Sequence, residues 1–545
     1  MANSPSITLN ERDASSYAVT TSETILAIVG FASKGKIGEV TRVTSRNDFL
    51  EKFGTPPTSS PYSSLAAYRA FNQTNQVLFY RVADVAVGDS EAALAAERVL
   101  AGDTAGDTCK IRILMDEKGS ALNGSYIIVS TIVNPVLGDS TIDIKFYYKT
   151  DLKETFTGLS RFAGDTNFFE TKINATSDNG GSNWFSVEVA FLGAAGDSIA
   201  WLNPGRYYIG QAAITGDAGI GDTSPWATGD TWSAANGDSI DYDFRAGTDG
   251  IPAAGGDTLI ATALATSGAL ANTELWNYHI LITPDTSVAQ AEDAGVTLAE
   301  FRGDCIYIAD PPYSKTYEEA ADWHNGDTVR TVAFNSSYAA TFWPWLKDYN
   351  PISGEYVWCP PSVFVAEKML EVDRKWGPWY AAAGDIRGKI SGASDYEASP
   401  SLAERNILYG NLNAVNPIVN FASKGLEIFG QKTLLRTASA LNRINVRRMV
   451  IYVKKLIKTA MDGLVFEPHN ADSWAKATNL INAILEPIRQ DNGLADYRVV
   501  IDSTTNTPSL IQQSIMSGII QLVPVGTIEI IELTIQIQAA GTVIE

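Results

Sequence analysis

Residues 24–54 read TILAIVGFASKGKIGEVTRVTSRNDFLEKFG, and this stretch decides the fold class. Thr24 to Val29 is short, continuous and rich in branched residues, as a strand buried on both faces must be, and Gly30 ends it. A second strand, Glu39 to Val43, follows a glycine-rich turn. Ser45 is placed to cap a short helix whose apolar stripe is Phe49, Leu50 and Phe53, and Gly54 stops it. Ser64 to Asn72 reads as another helix and Gln76 to Val82 as a strand. Residues 21–85 are therefore a compact α/β unit.

Outward from this unit the texture changes. From Gly88 to Gly256 the chain is punctuated by Gly-Asp pairs, with alternating or branched runs such as Ser125–Val129 and Thr141–Tyr148 between them. Strands bounded by turn residues describe a β-rich insertion. The same pairs raise the possibility of a calcium-binding β-roll, but their spacing is irregular and the nonapeptide repeat is missing. Helix and strand signals alternate again over 257–372. Residues 278–283 and 305–309 read as buried parallel strands, 331–334 as a third, and Ser287 to Arg302 as a crossover helix.

The last 170 residues are the most regular. Ser401-Leu402-Ala403-Glu404 is a capping box opening a helix to Leu412. Leu441 to Leu464 carries a 3.6-residue apolar stripe, and Asp472 to Gln490 carries another that buries Trp474, Ala477, Ile481, Ile484, Leu485 and Ile488. Tyr497–Asp502 and Thr527–Ile537 read as strands, the second unable to stay unpaired without risking aggregation. The whole is a multidomain α+β or α/β chain. Its expected parts are an arm over 1–20, a middle α/β domain over 21–87 plus 257–372, the β-rich insertion over 88–256, a C-terminal α/β core domain over 373–526 and an extended C-terminal strand over 527–545.

Composition narrows the function. The 545 residues include 45% hydrophobic and 10% aromatic side chains, enough for several cores. A net charge of -21 argues against nucleic acid as the main partner. Three cysteines and three histidines, far apart in sequence, give no close-spaced zinc motif and no disulfide framework. Glu11, Arg12 and Asp13 stand where a signal peptide needs its apolar core, and no run approaches 18 apolar residues. A cytoplasm-like site of synthesis, without membrane insertion, is the expectation.

Candidate chemistry is thin. Gly30 to Lys36 has the spacing of a phosphate loop, but Ile37 replaces the hydroxyl that would hold magnesium, and a strand follows where a helix is needed. His279 reads as a core imidazole and His469 as a loop residue, while the Phe342–Trp345 run with Tyr356 and Trp358 reads as packing rather than a sugar platform. No catalytic residue, metal site or cofactor is expected.

Charge distribution says more. Residues 424–458 hold nine basic residues and one acid, Glu427, so this stretch is +8 and the remainder -29. Arg447, Arg448, Lys454, Lys455 and Lys458 share about 120° of helical arc opposite the apolar stripe. A one-signed stripe of this kind points to contact with an acidic protein surface.

The ordered set of an N-terminal PSITLNERD, the KGKIGEVTRVTSRNDFLEKFG stretch, GPWYAAAGDIRGKI, ASPSLAERNILYGNLNAVNPIV, NRINVRRMVIYVKKLI and VFEPHN resembles the tail sheath proteins of contractile-tailed phages and related injection machines. The resemblance covers the first 85 residues and about 375–545. It departs where many sheath proteins have glycine-proline near Gly35-Lys36. It implies a structural, non-catalytic subunit that stacks as hexameric rings into a helical polymer around a tail tube and contracts to drive the tube through the host envelope. The C-terminal domain would face the tube through Arg447, Arg448, Lys454, Lys455 and Lys458, or use them against a neighbouring subunit. Ile7 and Leu9 in the arm, and Ile528, Ile530, Leu533, Ile535 and Ile537 in the terminal strand, would join sheets of neighbouring copies. An arm of this length reaches roughly 60 Å when extended. The implied partners are the chain itself, the tail tube protein, and the baseplate and tail terminator proteins, with assembly in the host cytoplasm and residence in the virion. The rival readings are a nucleoside triphosphatase using Gly30–Lys36 and a surface adhesin using the insertion.

Overall fold

The computed structural model describes residues 23–84, 95–101, 109–118, 120–133, 140–148, 150–160, 162, 165–176, 179–191, 205–209, 244–245, 249, 251, 256–326, 333–410, 412–530 and 532. Its centre is one eight-stranded sheet. In spatial order the strands are Gly425–Ile428, Val415–Phe421, Ala339–Trp343, Ile306–Ala309, Ile280–Ile282, Leu26–Gly30, Val77–Arg81 and Val40–Val43. The inner six run parallel, and each outermost strand is antiparallel to its neighbour.

Alternation along the strands explains why both faces are covered. Leu26 and Ile28, Ile280 and Ile282, and Ile306 and Ile308 point into one core with helices Tyr62–Ala70 and Pro361–Lys375. Ala27 and Val29, Leu281, and Tyr307 and Ala309 point into the other, with helices Gly256–Ala263 and Ala289–Arg302. A strand whose neighbours cover both faces has no reason to alternate polar with apolar, and these do not.

Local signals placed the first unit well. Ser45 accepts a hydrogen bond from the Asp48 N–H and opens the helix Arg46–Phe53, and Gly54 ends it at φ 74°. Added at Gly35, where φ is +99°, a Cβ would lie 2.6 Å from the Lys52 carbonyl oxygen.

Several boundaries differ from expectation. The sheet crosses the expected border at 372/373, because strands 415–421 and 425–428 complete it from the C-terminal side, and helix Pro361–Lys375 straddles the border. The expected strand 331–334 is irregular where described, at 333–336, and the sheet uses Ala339–Trp343 instead. The capped helix at Ser401 stops at Leu408, short of Leu412, and Trp474 is only half-buried.

The insertion leaves the sheet after Val77–Arg81. Its described strands form two four-stranded antiparallel sheets, whose inner faces share a core including Ile113, Ile127, Ile144, Phe146, Phe185 and Tyr207. It meets the body at the glycine-rich turn, where the Lys34 ammonium lies 5.4 Å from the Trp184 ring and the Ala121 N–H donates to the Ser33 carbonyl. At the other end of the chain, helices Ile444–Met461 and Ala471–Gln490 pack as a hairpin against a separate two-stranded sheet, Leu494–Val500 with Ile519–Pro524.

Candidate assembly surfaces

In an open parallel sheet, ligands bind beyond the carboxyl ends of the strands. Here the chain's own carboxylates fill that position. Asp285, after Ile280–Ile282, accepts from the Phe31 N–H at 2.8 Å, the Ser60 hydroxyl at 2.8 Å and the Ser63 N–H at 3.2 Å, so it occupies the mouth of the apparent phosphate loop and the first turn of helix Tyr62–Ala70. Asp310, after Ile306–Ala309, accepts from the Ser362 N–H at 2.9 Å in the first turn of helix Pro361–Lys375. Gly30 is so enclosed that a Cβ there would lie 1.8 Å from the Ser63 hydroxyl oxygen. Lys36, which a phosphate loop would aim inward, is exposed and pairs with Glu39 at 3.3 Å, and a strand follows.

Burial pushes Asp285 up to about 6 and Asp310 up to about 7 from the usual 3.8, their hydrogen bonds opposing the rise only in part. The folded chain therefore holds these protons to higher pH than the unfolded chain does. Their contribution to stability is full below pH 3.8 and is lost as pH rises through 6 and 7. Relative to Asp310→Asn, the wild-type chain should lose on the order of 2 kcal/mol of stability between pH 5 and pH 8 in urea titrations. A difference that does not move with pH would show that Asp310 stays ionised throughout.

The other singled-out groups are internal. The His279 Nδ1 accepts from the Ile25 N–H at 3.2 Å, and burial with Lys455, Arg448 and Arg302 nearby holds the imidazole neutral. The indole N–H groups of Trp343 and Trp345 donate to the Lys315 and Pro311 carbonyls, which makes them packing residues.

The basic stripe was expected to meet an acidic surface of another protein, and four of its five members are instead turned onto the chain itself. The Arg448 guanidinium pairs with Asp373, both side chains being 5% exposed, and the Thr24 hydroxyl donates to the same carboxylate at 2.6 Å. Arg447 is buried, bonds the Ser337 hydroxyl and lies over the Tyr338 ring. The Lys454 ammonium donates to the Gly303 carbonyl at 2.8 Å. Lys455 bonds the Asn277 side chain and the Tyr278 carbonyl and faces Asp304 at 3.5 Å, and burial pulls its ammonium down to about 8. Lys458 is exposed. The stripe is thus a clamp that fastens the helical hairpin to the sheet. A single-signed stripe matches either partner, because the acids and carbonyls it meets lie at positions 277–304, 337 and 373.

Two features face outward. Among the described residues, neither strand of the 494–500/519–524 sheet has a second neighbour. Ile520 and Leu522 pack toward the helices, while Ile519 and Val523 are exposed. The chain then runs irregularly through 525–530, contrary to the expected start of a strand at 527, and is pinned at Glu529. That carboxylate pairs with Arg443 at 2.6 Å and accepts from the Tyr409 hydroxyl at 3.1 Å, while Gln431 bonds Thr527. Ile528 and Ile530, on either side of the pin, are 83% and 80% exposed. Ile7, Leu9, Leu533, Ile535 and Ile537 lie outside the described residues.

No family model matches the sequence. The chain is 29% identical over 252 residues to the tail sheath protein of Vibrio phage KVP40, covering 44% of this chain and 37% of that protein. It is 26% identical over 257 residues to the tail sheath protein of Enterobacteria phage T4, covering 45% and 39%. Among solved structures, the contracted helical sheath of the anti-feeding prophage matches 98% of this chain and 99% of its own, at TM-score 0.51 and 14% identity. A sheath tail protein from Listeria innocua matches 94% and 97%, at TM-score 0.54 and 13% identity. The chain has the fold of contractile sheath proteins. The matched region spans less than two fifths of the length of these curated relatives.

The two-stranded sheet was half visible, since Tyr497–Asp502 reads as a strand in the sequence, but Ile519–Pro524 does not. The pin at Glu529 had one local clue, an acid flanked by isoleucines in a run of strand formers.

Proposed function

We propose that this chain is the subunit of a contractile tail sheath, polymerising as stacked hexameric rings around a tail tube. It contracts with free energy stored in the extended lattice and needs no catalytic residue. The observation that carries the proposal is the two-stranded sheet whose edges are both open among the described residues, beside a terminal segment anchored at Glu529. An open edge presents unpaired N–H and C=O groups, and main-chain pairing with another copy satisfies them. Because the pairing is between main chains and the pins lie outside the paired residues, such links tolerate rigid rearrangement of the bodies they connect. The N-terminal arm and the residues after 530 are the segments assigned to it.

The clamp changes which stripe residues meet the tube. Arg447, Arg448 and Lys455 hold the fold, and Lys458 is the member assigned to an acidic surface of the tube protein, with Lys454 at its border. Baseplate and terminator proteins would meet the two ends of the polymer. Residence in the virion, after assembly in the host cytoplasm, completes the proposal. The triphosphatase reading is opposed by the carboxylate of Asp285 at the loop mouth. The adhesin reading predicts a soluble monomer. Negative-stain imaging of the purified full chain decides between them: a sheath subunit forms helical tubes or rings, whereas monomers at every concentration and salt would refute it.

A further inference from the structure

The turn between the two C-terminal helices places an apolar side chain where a folded monomer has no use for it. Phe466 is fully exposed, Val465 beside it is 61% exposed, and Phe466 has φ +72°, an unusual conformation for a bulky residue. The turn is held from within: the Val465 N–H donates to the Asp462 carbonyl, the Glu467 N–H to the Leu464 carbonyl, and His469 lies edge-on to Trp474. Phe466 is thus presented on a fixed support.

At the other end of the same helical hairpin lies a cavity of about 410 Å³. Leu370, Trp376, Pro378, Trp379 and Tyr452 supply its apolar wall. Its rim includes exposed Arg374 and Lys375, together with Glu23 and Asp491. The turn and the first two residues of the helix after it, 462–472, carry Asp462, Glu467 and Asp472 and neither lysine nor arginine, so their charge suits the Arg374–Lys375 side of that rim. Asp491 follows the last residue of the 20-residue helix whose first residue follows the turn. The aromatic projection is therefore about 30 Å from the Asp491 rim of the cavity and, by the helical rise from Tyr452 to Met461, at least about 14 Å from its Tyr452 wall. That is too far for contact within one chain and is the placement a head-to-tail contact between copies requires. Repeating a heterologous contact generates rings or helical filaments.

We infer that Phe466 of one copy enters the Trp376–Trp379–Tyr452 cavity of the next, as a contact distinct from strand pairing. This rests on the self-assembling reading above. Burying Phe466 should be worth tenfold or more in assembly, so Phe466→Ala should raise the critical concentration for polymer at least tenfold.

The deciding experiment uses full-length chains with engineered cysteines at the turn and at the rim. Val465→Cys chains, which keep Phe466, and Gln73→Cys chains, changed at a residue that lines the cavity, should each alone give no oxidised dimer. Mixed, they should give dimers, and the double variant should give a ladder of covalent oligomers. Dimers from Val465→Cys alone would overturn the inference in favour of a two-fold contact, and so would polymers of the double variant without a ladder. If the parent chain forms no polymer, it is the sheath reading that fails.

Discussion

Removing residues 531–545 is expected to leave a folded chain that no longer polymerises. The described body depends on nothing beyond Glu529: the central sheet, both its cores and the helical hairpin are complete by residue 525, and the Arg443–Glu529 pair survives the cut. The removed segment retains the alternation of Leu533, Ile535 and Ile537. The edge strand Leu494–Val500 has seven residues, and a pairing of that length makes about seven backbone hydrogen bonds, each worth roughly 1 kcal/mol net. Losing several kcal/mol per contact weakens association by on the order of a thousandfold or more. The truncated chain should match the full chain in circular dichroism and urea midpoint but sediment as a monomer. Polymers from it would refute strand donation by this segment, and an unfolded product would show that the tail supports the body.

Arg448→Met is expected to be the most damaging single substitution in the C-terminal unit. Arg448 and Asp373 are each 5% exposed, and burial pushes the Asp373 carboxyl up, with Arg448 and Thr24 opposing the rise. Removing the guanidinium leaves a buried carboxylate with only the Thr24 hydroxyl, and breaking buried pairs in this way costs about 3–5 kcal/mol. Replacing both partners, as Arg448→Met with Asp373→Leu, removes the stranded charge and should recover most of the loss, because apolar replacements of buried pairs are often neutral. Urea titration of the two single variants and the double variant reads this directly. Equal losses in the double and single variants would mean that the pair contributes its packing alone. A fall below 1 kcal/mol in Arg448→Met would mean that the clamp is not what holds the hairpin to the sheet. By contrast, Lys458→Glu should leave the midpoint unchanged, since Lys458 is exposed.

How much of this was legible in the sequence depended on the range of the interaction that decides it. Ser45, Gly54, Thr24–Gly30 and the stripe of Ala471–Gln490 report on neighbours a few residues away, and the elements they mark were found. Helix Pro361–Lys375 was missed because it is buried nearly all round, Glu367 and Lys368 included, and so has no polar face to set its period. The join of Thr341–Trp343 to Val415–Pro417 spans more than 70 residues and has no local sign. The basic stripe was seen, but its direction was set by Asp304, Asp373 and backbone carbonyls far away in sequence. Glu367 and Asp373 lie in a helix whose other buried residues are mostly apolar, and acids so placed are a sequence sign that cations come to them.

The proposed assembly stands or falls on how copies are joined. Cryo-electron microscopy of the assembled polymer should show residues after 530 of one copy hydrogen-bonded along an open edge of the Leu494–Val500/Ile519–Pro524 sheet of another. A polymer in which that sheet remains two-stranded, its edges bare and the terminal residues folded back on their own chain, would contradict it.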